Sequence, residues 1–213
     1  MEYHKIFIIT GPSAVGKSSL VKRVWSSDGD MRLGKSFRTR PDRGGDNDGL
    51  TVYMDDERFK EHLANDDFIA YTNIYGYLYG TLRETWDTAL NCGHGDIIQA
   101  MDFEGIRQVK QSKYASRLVS IYLLPAAIVE LRQRIDARKG TDMSKKLRKE
   151  AIQHELLDWD KYDYCLINYS LDDTQDKIRQ IVNYERLRVK RRQVHSIHVD
   201  TLKASFIYRP EDI

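Results

Sequence analysis

An α/β fold with a parallel, helix-flanked sheet is what this sequence predicts, and three observations carry the expectation. The first is "KIFIIT" (Lys5 to Thr10), an unbroken apolar run of the kind found in strands buried on both faces. The second is a glycine loop, Gly11-Pro12-Ser13-Ala14-Val15-Gly16-Lys17-Ser18, that opens a helix directly after that run. The third is the recurrence of strand-like and helical periodicity downstream, which calls for crossover connections and hence parallel pairing.

The remaining elements follow in order. After the loop, "SSLVKRVWSS" carries apolar residues at helical spacing. "GDIIQAMD" (Gly95 to Asp102) and "LVSIYLL" (Leu118 to Leu124) read as strands, with helical "EGIRQVKQS" between them. "PAAIVELRQRIDAR" reads as a helix with Pro125 at its start, "DYCLINY" (Asp163 to Tyr169) as a strand, and "TQDKIRQIVNYERLRVKRR" as a closing helix. Two insertions interrupt the alternation. Ser36 to about Trp86 is rich in Gly, Asp, Tyr and Arg, with short strand signals and one helix near "DDERFKEHLAN", which predicts a small α+β substrate domain. Arg138 to about Arg148, "RKGTDMSKKLR", is polar, basic and glycine-containing, as a mobile lid is. The expected division is a core at 1–35 and 87–183, an acceptor domain at 36–86, a lid at about 138–148 and a C-terminal extension at 184–213 with no assigned role.

Composition bounds the function. With 213 residues, 41% hydrophobic and 31% charged, the chain can bury one core and carry a small lid. No apolar run approaches the roughly 20 residues needed to span a bilayer, and the N-terminus lacks a signal-peptide cleavage site, so no membrane is expected and the location expected is cytoplasmic. Cys92 and Cys165 stand far apart, outside metal or redox spacing, and read as ordinary thiols. A net charge of +2 argues against nucleic acid as a partner, and the basic run "RLRVKRR" (Arg186 to Arg192) reads as a solvated helix face. In the extension, His195 and His198 have no carboxylate or thiol cluster beside them and read as strand residues, not a metal pair. A strand there could pair across a dimer, so monomer and homodimer both stay open.

The glycine loop carries the first chemistry. It matches G-x-x-x-x-G-K-[ST] at every fixed position, between a strand and a helix as the pattern requires. Such a loop turns successive backbone N–H groups inward around phosphates, at a helix N-terminus whose dipole favours anions. Gly11, Ser13, Ala14, Val15, Gly16 and Ser19 are thus candidate ATP contacts. Lys17 would reach the β and γ phosphates, and the Ser18 hydroxyl would ligate Mg²⁺. ATP and Mg²⁺ are the cofactors implied, and small nucleotides the partners.

Together with "SFRTRPDRGG" (Ser36 to Gly45), "YGYLYGT" (Tyr75 to Thr81), "MDFEGIRQVK" (Met101 to Lys110) and "LRQRIDARKGTD" (Leu131 to Asp142), in this order and spacing, the chain resembles guanylate kinase from about Lys5 to Ile181. The resemblance implies a P-loop NTPase core with a nucleotide-monophosphate-binding domain and a lid, and transfer of the γ-phosphate of ATP to GMP or dGMP. It implies that Ser36, Arg40 and Arg43 occupy an S-x-x-x-R-x-x-R motif whose arginines hold the acceptor phosphate, that Tyr79 donates to the same phosphate, and that Thr81 and Asp102 bond the guanine edge. Arg134, Arg138 and Arg148 fall on lid-side arginines that stabilise the transferring phosphoryl group. Asn168 falls near the adenine, although the acids that usually follow it are here Tyr169 and Ser170. Guanidinium forks suit this work, because they neutralise the repulsion between two phosphate anions. The plainer readings are that Tyr77 and Tyr79 belong to a β-hairpin and that Asp102 caps a helix.

Three positions depart from the resemblance. Ala70 stands where the family carries a glutamate that accepts two hydrogen bonds from guanine; bonds to a charged acceptor are worth roughly 1.5 to 3 kcal/mol each. Asp66, Asp67 or Tyr71 are the candidates to replace it. Ala100 takes the place of an aspartate near the metal, and Val52 that of a phosphate-binding tyrosine, with Tyr53 beside it able to substitute if the strand slips or bulges. All three cluster on the acceptor side, which favours a kinase with altered base preference. The alternatives are a ribose-phosphate kinase of the related phosphonate pathway, which needs no base recognition, and a non-catalytic guanylate-kinase-like module that binds phosphopeptides. Intact Lys17 and Ser18 argue against the latter.

Overall fold

The computed structural model describes residues 4–41, 49–74, 76–91, 95–137, 141–156 and 159–188. In chain order the elements are β1 (Ile6–Thr10), α1 (Lys17–Ser26), β2 (Met31–Leu33), β3 (Ser36–Arg38), β4 (Thr51–Tyr53), α2 (Asp56–Ala64), β5 (Phe68–Ile74), β6 (Tyr77–Leu82) and α3 (Arg83–Asn91). They continue with β7 (Asp96–Ala100), α4 (Phe103–Lys110), β8 (Leu118–Pro125), α5 (Ile128–Asp136), α6 (Asp142–Glu155), β9 (Tyr164–Asn168) and α7 (Leu171–Leu187).

The larger sheet runs β2-β7-β1-β8-β9, and every pairing in it is parallel. β1 lies at its centre because all five of its residues are apolar or small enough to be buried on both faces. Strand alternation sends Phe7 and Ile9 into a cluster with Leu20, Val24 and Ile178, and Ile6 and Ile8 into a cluster with Trp86, Ile97 and Ile106. Each such side chain contributes about 1.5–3 kcal/mol, so the strand that ends in the glycine loop is firmly held.

The smaller sheet runs β4-β3-β6-β5. β5 and β6 form the antiparallel hairpin read from the tyrosine-rich stretch, with Ile74 opposite Tyr77. Asp55 caps α2 by accepting from the Arg58 N–H, and that helix sends Phe59 against Phe68 with ring centroids 4.4 Å apart. Met54 and Leu82 complete this third cluster. Gln108 of α4 joins the small sheet to the core, because its side chain accepts from the Tyr71 N–H at 3.0 Å and donates to the Tyr71 carbonyl at 2.8 Å.

Four local expectations are corrected. Pro125 ends β8 instead of opening a helix, and α5 starts only after Ala127. Residues 142–155 form a continuous helix, longer than the polar lid expected to end at Arg148. The last helix begins three residues early, at Leu171, because the Ser170 hydroxyl accepts from the Asp173 N–H and caps it.

The fourth correction concerns the first residue of the basic run, of which 189–192 lie outside the described residues. Arg186 is not on a solvated face: it bonds Asp96 at 2.9 Å and Asp28 at 2.8 Å, and Asp96 is 1% exposed. Asp96 also accepts the Lys5 N–H at 2.7 Å, so the pair ties the end of α7 to two strands. Among the described residues no helix is long and apolar enough to cross a membrane. Removing one partner of a buried ion pair strands the other charge, so Arg186→Ala should lower stability by about 3 kcal/mol. Denaturant unfolding checks this: the midpoint falls and the slope is unchanged.

Candidate active site

The glycine loop leaves β1 through a turn with no room for a side chain. Gly11 has φ 134°, and a Cβ there would stand 2.4 Å from the Leu123 carbonyl oxygen. Ala14 is held at φ 69°, a left-handed conformation that an alanine adopts only when its surroundings impose it. One support is visible from the far side: the buried Asn168 amide donates to the Val15 carbonyl at 2.7 Å and accepts from the Thr174 hydroxyl at 2.8 Å. The Lys17 ammonium donates to the Gly11 and Pro12 carbonyls at 2.6 and 2.9 Å, inside the loop's own curve. Ser13, Ser18 and Ser19 line a cleft of about 650 Å³ with it.

Helix α6 closes the cleft over the loop. Arg148 donates from Nη1 to the Ser13 hydroxyl at 2.9 Å, and the Ser13 N–H reaches Glu155 Oε2 at 3.4 Å. The sequence reading missed Glu155 because it ended the lid at Arg148. A signal was present, since seven residues make two helical turns and put both side chains on one face. Burial pushes the Glu155 carboxyl above the usual carboxylate range, against the pull of Lys17, and burial does the same to Asp102.

A second wall faces the loop across the cleft, with residues from β3, β5, β6 and β7. Arg40 Nε donates to the Tyr79 hydroxyl at 3.0 Å, so the tyrosine proton is free to point elsewhere. Ser36, Ala70, Thr81 and Asp102 line the same cleft, as does Ala100. Asp102 also caps α4, accepting from the Gly105 N–H at 2.7 Å. Two side chains that the sequence reading passed over belong here. Arg38 lines the cleft at 4% exposure, and Gln99 on β7 donates to both Ser36 and Thr81.

Some expected residues fall elsewhere. Asp67 pairs with His62 and Asp66 with Arg83, so neither lines the cleft as a substitute for the missing acid; Tyr71 does line it. β4 pairs with β3 in a regular ladder, Ser36 opposite Thr51 and Arg38 opposite Tyr53. Alternation then puts Tyr53 on the face of cleft-lining Thr51 without slip or bulge, and Val52 on the other. Arg134 lies on the far side of the loop, ion-paired with Glu130 at 3.4 Å, in a smaller hollow that it shares with Asn168, Tyr169 and Gly16. Arg43, Arg138, Cys92, His195 and His198 lie outside the described residues.

The donor set fits Mg²⁺ as an ion held by few protein oxygens. Ser18 and Asp102 offer a hydroxyl and a carboxylate, and no group of three or more acidic, histidine or cysteine ligands exists among the described residues. Mg²⁺ usually takes one or two protein oxygens and completes its shell with phosphate and water. A carboxyl with a raised value keeps its proton in the folded state after the unfolded chain has lost its own, so it costs stability as pH rises through that window. Melting Glu155→Gln beside the parent from pH about 4 to about 7 should therefore show the variant gaining in relative melting temperature as pH rises; a constant difference would contradict the shift.

The family model described as guanylate kinase matches residues 3–185. The guanylate kinase of Rickettsia prowazekii is 36% identical over 186 residues, covering 86% of this chain and 92% of that one. That of Ruegeria sp. (strain TM1040) is 34% identical over 187 residues, covering 86% and 85%. The crystal structure of guanylate kinase from Anaplasma phagocytophilum superposes with a TM-score of 0.73 at 21% identity, covering 89% and 90%, which supports the P-loop α/β fold. With its fold, its phosphate loop and most of its length matched, the chain belongs to the guanylate kinase family.

Proposed function

We propose that this protein transfers the γ-phosphate of ATP to a nucleoside monophosphate, with GMP or dGMP as acceptor. The observation that carries the reading is the placement in one cleft of a complete phosphate loop and, facing it, the Arg40–Tyr79 pair. The names of the relatives point the same way and do not favour a sugar-phosphate kinase or a phosphopeptide module.

The chemistry needs positioning more than proton transfer. An oxygen of the acceptor phosphate attacks the γ-phosphorus in line, the bond from that phosphorus to the β–γ bridging oxygen breaks, and ADP leaves. The acceptor oxygen is already anionic, so no general base is required. Lys17 and the loop N–H groups would hold the donor phosphates, Arg40 and Tyr79 the acceptor phosphate, and Arg148 the charge spread over the moving group. Arg43, Arg134 and Arg138 are further candidates for the same charge, and Asn168 with Arg134 would flank the adenosine side. Mg²⁺, when bound, would neutralise charge on the donor phosphates beside Ser18. Incoming phosphates would compete with Glu155 for the Ser13 N–H and draw Lys17 away from the loop carbonyls.

Release of ADP from MgATP, measured with GMP, dGMP and the other nucleoside monophosphates, tests the reading; turnover with a guanine nucleotide is expected, and silence across the panel would contradict it. Lys17→Ala should lower kcat by about a thousandfold or more while circular dichroism stays unchanged. Tyr79→Phe should raise the acceptor KM by about tenfold and leave the ATP KM alone, as loss of one hydrogen bond to a charged group requires.

A further inference from the structure

Strand pairing lays the cleft face of the smaller sheet out in rows. Phe37 stands opposite Gly80 and Ala70 opposite Thr81, so Ser36, Thr81 and Ala70 share one row. The Gln99 amide, donating to the Ser36 hydroxyl at 3.0 Å and the Thr81 hydroxyl at 2.8 Å, ties two of its members together. A second row comes two residues further along each strand, about 6.6 Å away. There Arg38 stands opposite Tyr79, and Tyr79 opposite Thr72. Both rows line the cleft.

The two rows differ in charge. The first offers two hydroxyls and a methyl group, all neutral, whereas the second holds a guanidinium. Opposite residues of an antiparallel pair keep their Cβ atoms about 5 Å apart, so Arg38 and Tyr79 are side-chain neighbours. Arg40 reaches the same tyrosine from another side, donating to its hydroxyl at 3.0 Å. Arg38 is 4% exposed, keeps its charge at any pH the protein meets, and presents its donors in a planar fork that matches phosphate oxygens. The motif that marks Arg40 and Arg43 passes over it.

We propose that Arg38 is a further binding residue for the acceptor phosphate, gripping it with Tyr79 from the buried side while Arg40 holds it from the more exposed one. That role rests on the kinase reading and fixes which part of the nucleotide the second row recognises. An arginine fork also fits the O6 and N7 atoms of a guanine edge, so base and phosphate are the two groups to tell apart. The register favours phosphate, because Arg38 shares its row with the Tyr79 that Arg40 also bonds and stands a full row from Ser36, Thr81 and Ala70. A grip made equally in the bound state and the transition state lowers the acceptor KM and leaves kcat alone.

The test measures phosphoryl transfer by the parent and by Arg38→Leu to GMP and to 7-deaza-GMP, which lacks N7, together with calorimetric binding of both nucleotides to the intact protein without ATP. Arg38→Leu should raise the KM for each acceptor at least about tenfold, by factors that agree within about threefold, and leave the ATP KM unchanged. A rise smaller than about tenfold, or an ATP KM that climbs in step, would overturn the proposal. So would a loss for 7-deaza-GMP more than about threefold smaller than that for GMP, which would put the fork on the base. Arg38→Lys keeps the charge without the fork, so its acceptor KM should fall between those of parent and Arg38→Leu. It carries the same comparison of nucleotides if Arg38→Leu does not fold. The binding arm separates the two claims. GMP binding that weakens in Arg38→Leu, with no ADP released by the parent, would remove the kinase reading and leave the phosphate grip standing. Turnover with the parent's acceptor KM would remove the grip and leave the kinase.

Discussion

The turn from β1 into α1 is the constraint on which the other parts of the site depend. Its backbone passes so close to Leu123 that only glycine fits at position 11, and Ala14 is carried into a left-handed conformation. Strain of this kind persists only where its surroundings over-determine it. Here β1 is buried on both faces, Asn168 holds the Val15 carbonyl from outside, and Arg148 holds the Ser13 hydroxyl from within the cleft. Residues from β9 and α6, far apart in sequence, thus converge on one short stretch of backbone because its N–H groups and hydroxyls are what they have to bond.

Charge organises the cleft around that turn. Cations stand at both ends, Lys17 and Arg148 against the loop and Arg38 and Arg40 on the opposite wall. Two anionic phosphates approach each other only if such groups offset their repulsion, which Coulomb's law makes steep at short range. The two carboxyls in the cleft are pushed by burial towards their protonated forms, so they oppose the cations less than their formal charge implies.

The legible part of this protein was local. The buried run of β1 and the glycine pattern specified strand, loop and helix, and alternation of periods specified the parallel sheet. The β5–β6 hairpin followed from its tyrosine-rich pattern. What stayed illegible depended on long-range partners. Nothing near Arg186 in sequence announces Asp28 and Asp96, and a basic run read alone looks solvated. Gln99 sits in an apolar strand, where its role exists only through Trp86, Ser36 and Thr81. Glu155 was hidden by an end placed too early on its helix. Asp66 and Asp67 stand near Ala70 in sequence, but they pair with Arg83 and His62 and do not line the cleft.

The central claim is that phosphate moves directly from the glycine loop to an acceptor held by Arg40 and Tyr79. The most direct measurement is a single-turnover reaction with ATP labelled in its γ-phosphate, excess protein and GMP, with products separated by chromatography. The account predicts that the label appears in the terminal phosphate of GDP, with no labelled protein on the way. Label released only as inorganic phosphate, or retained on the protein, would contradict it.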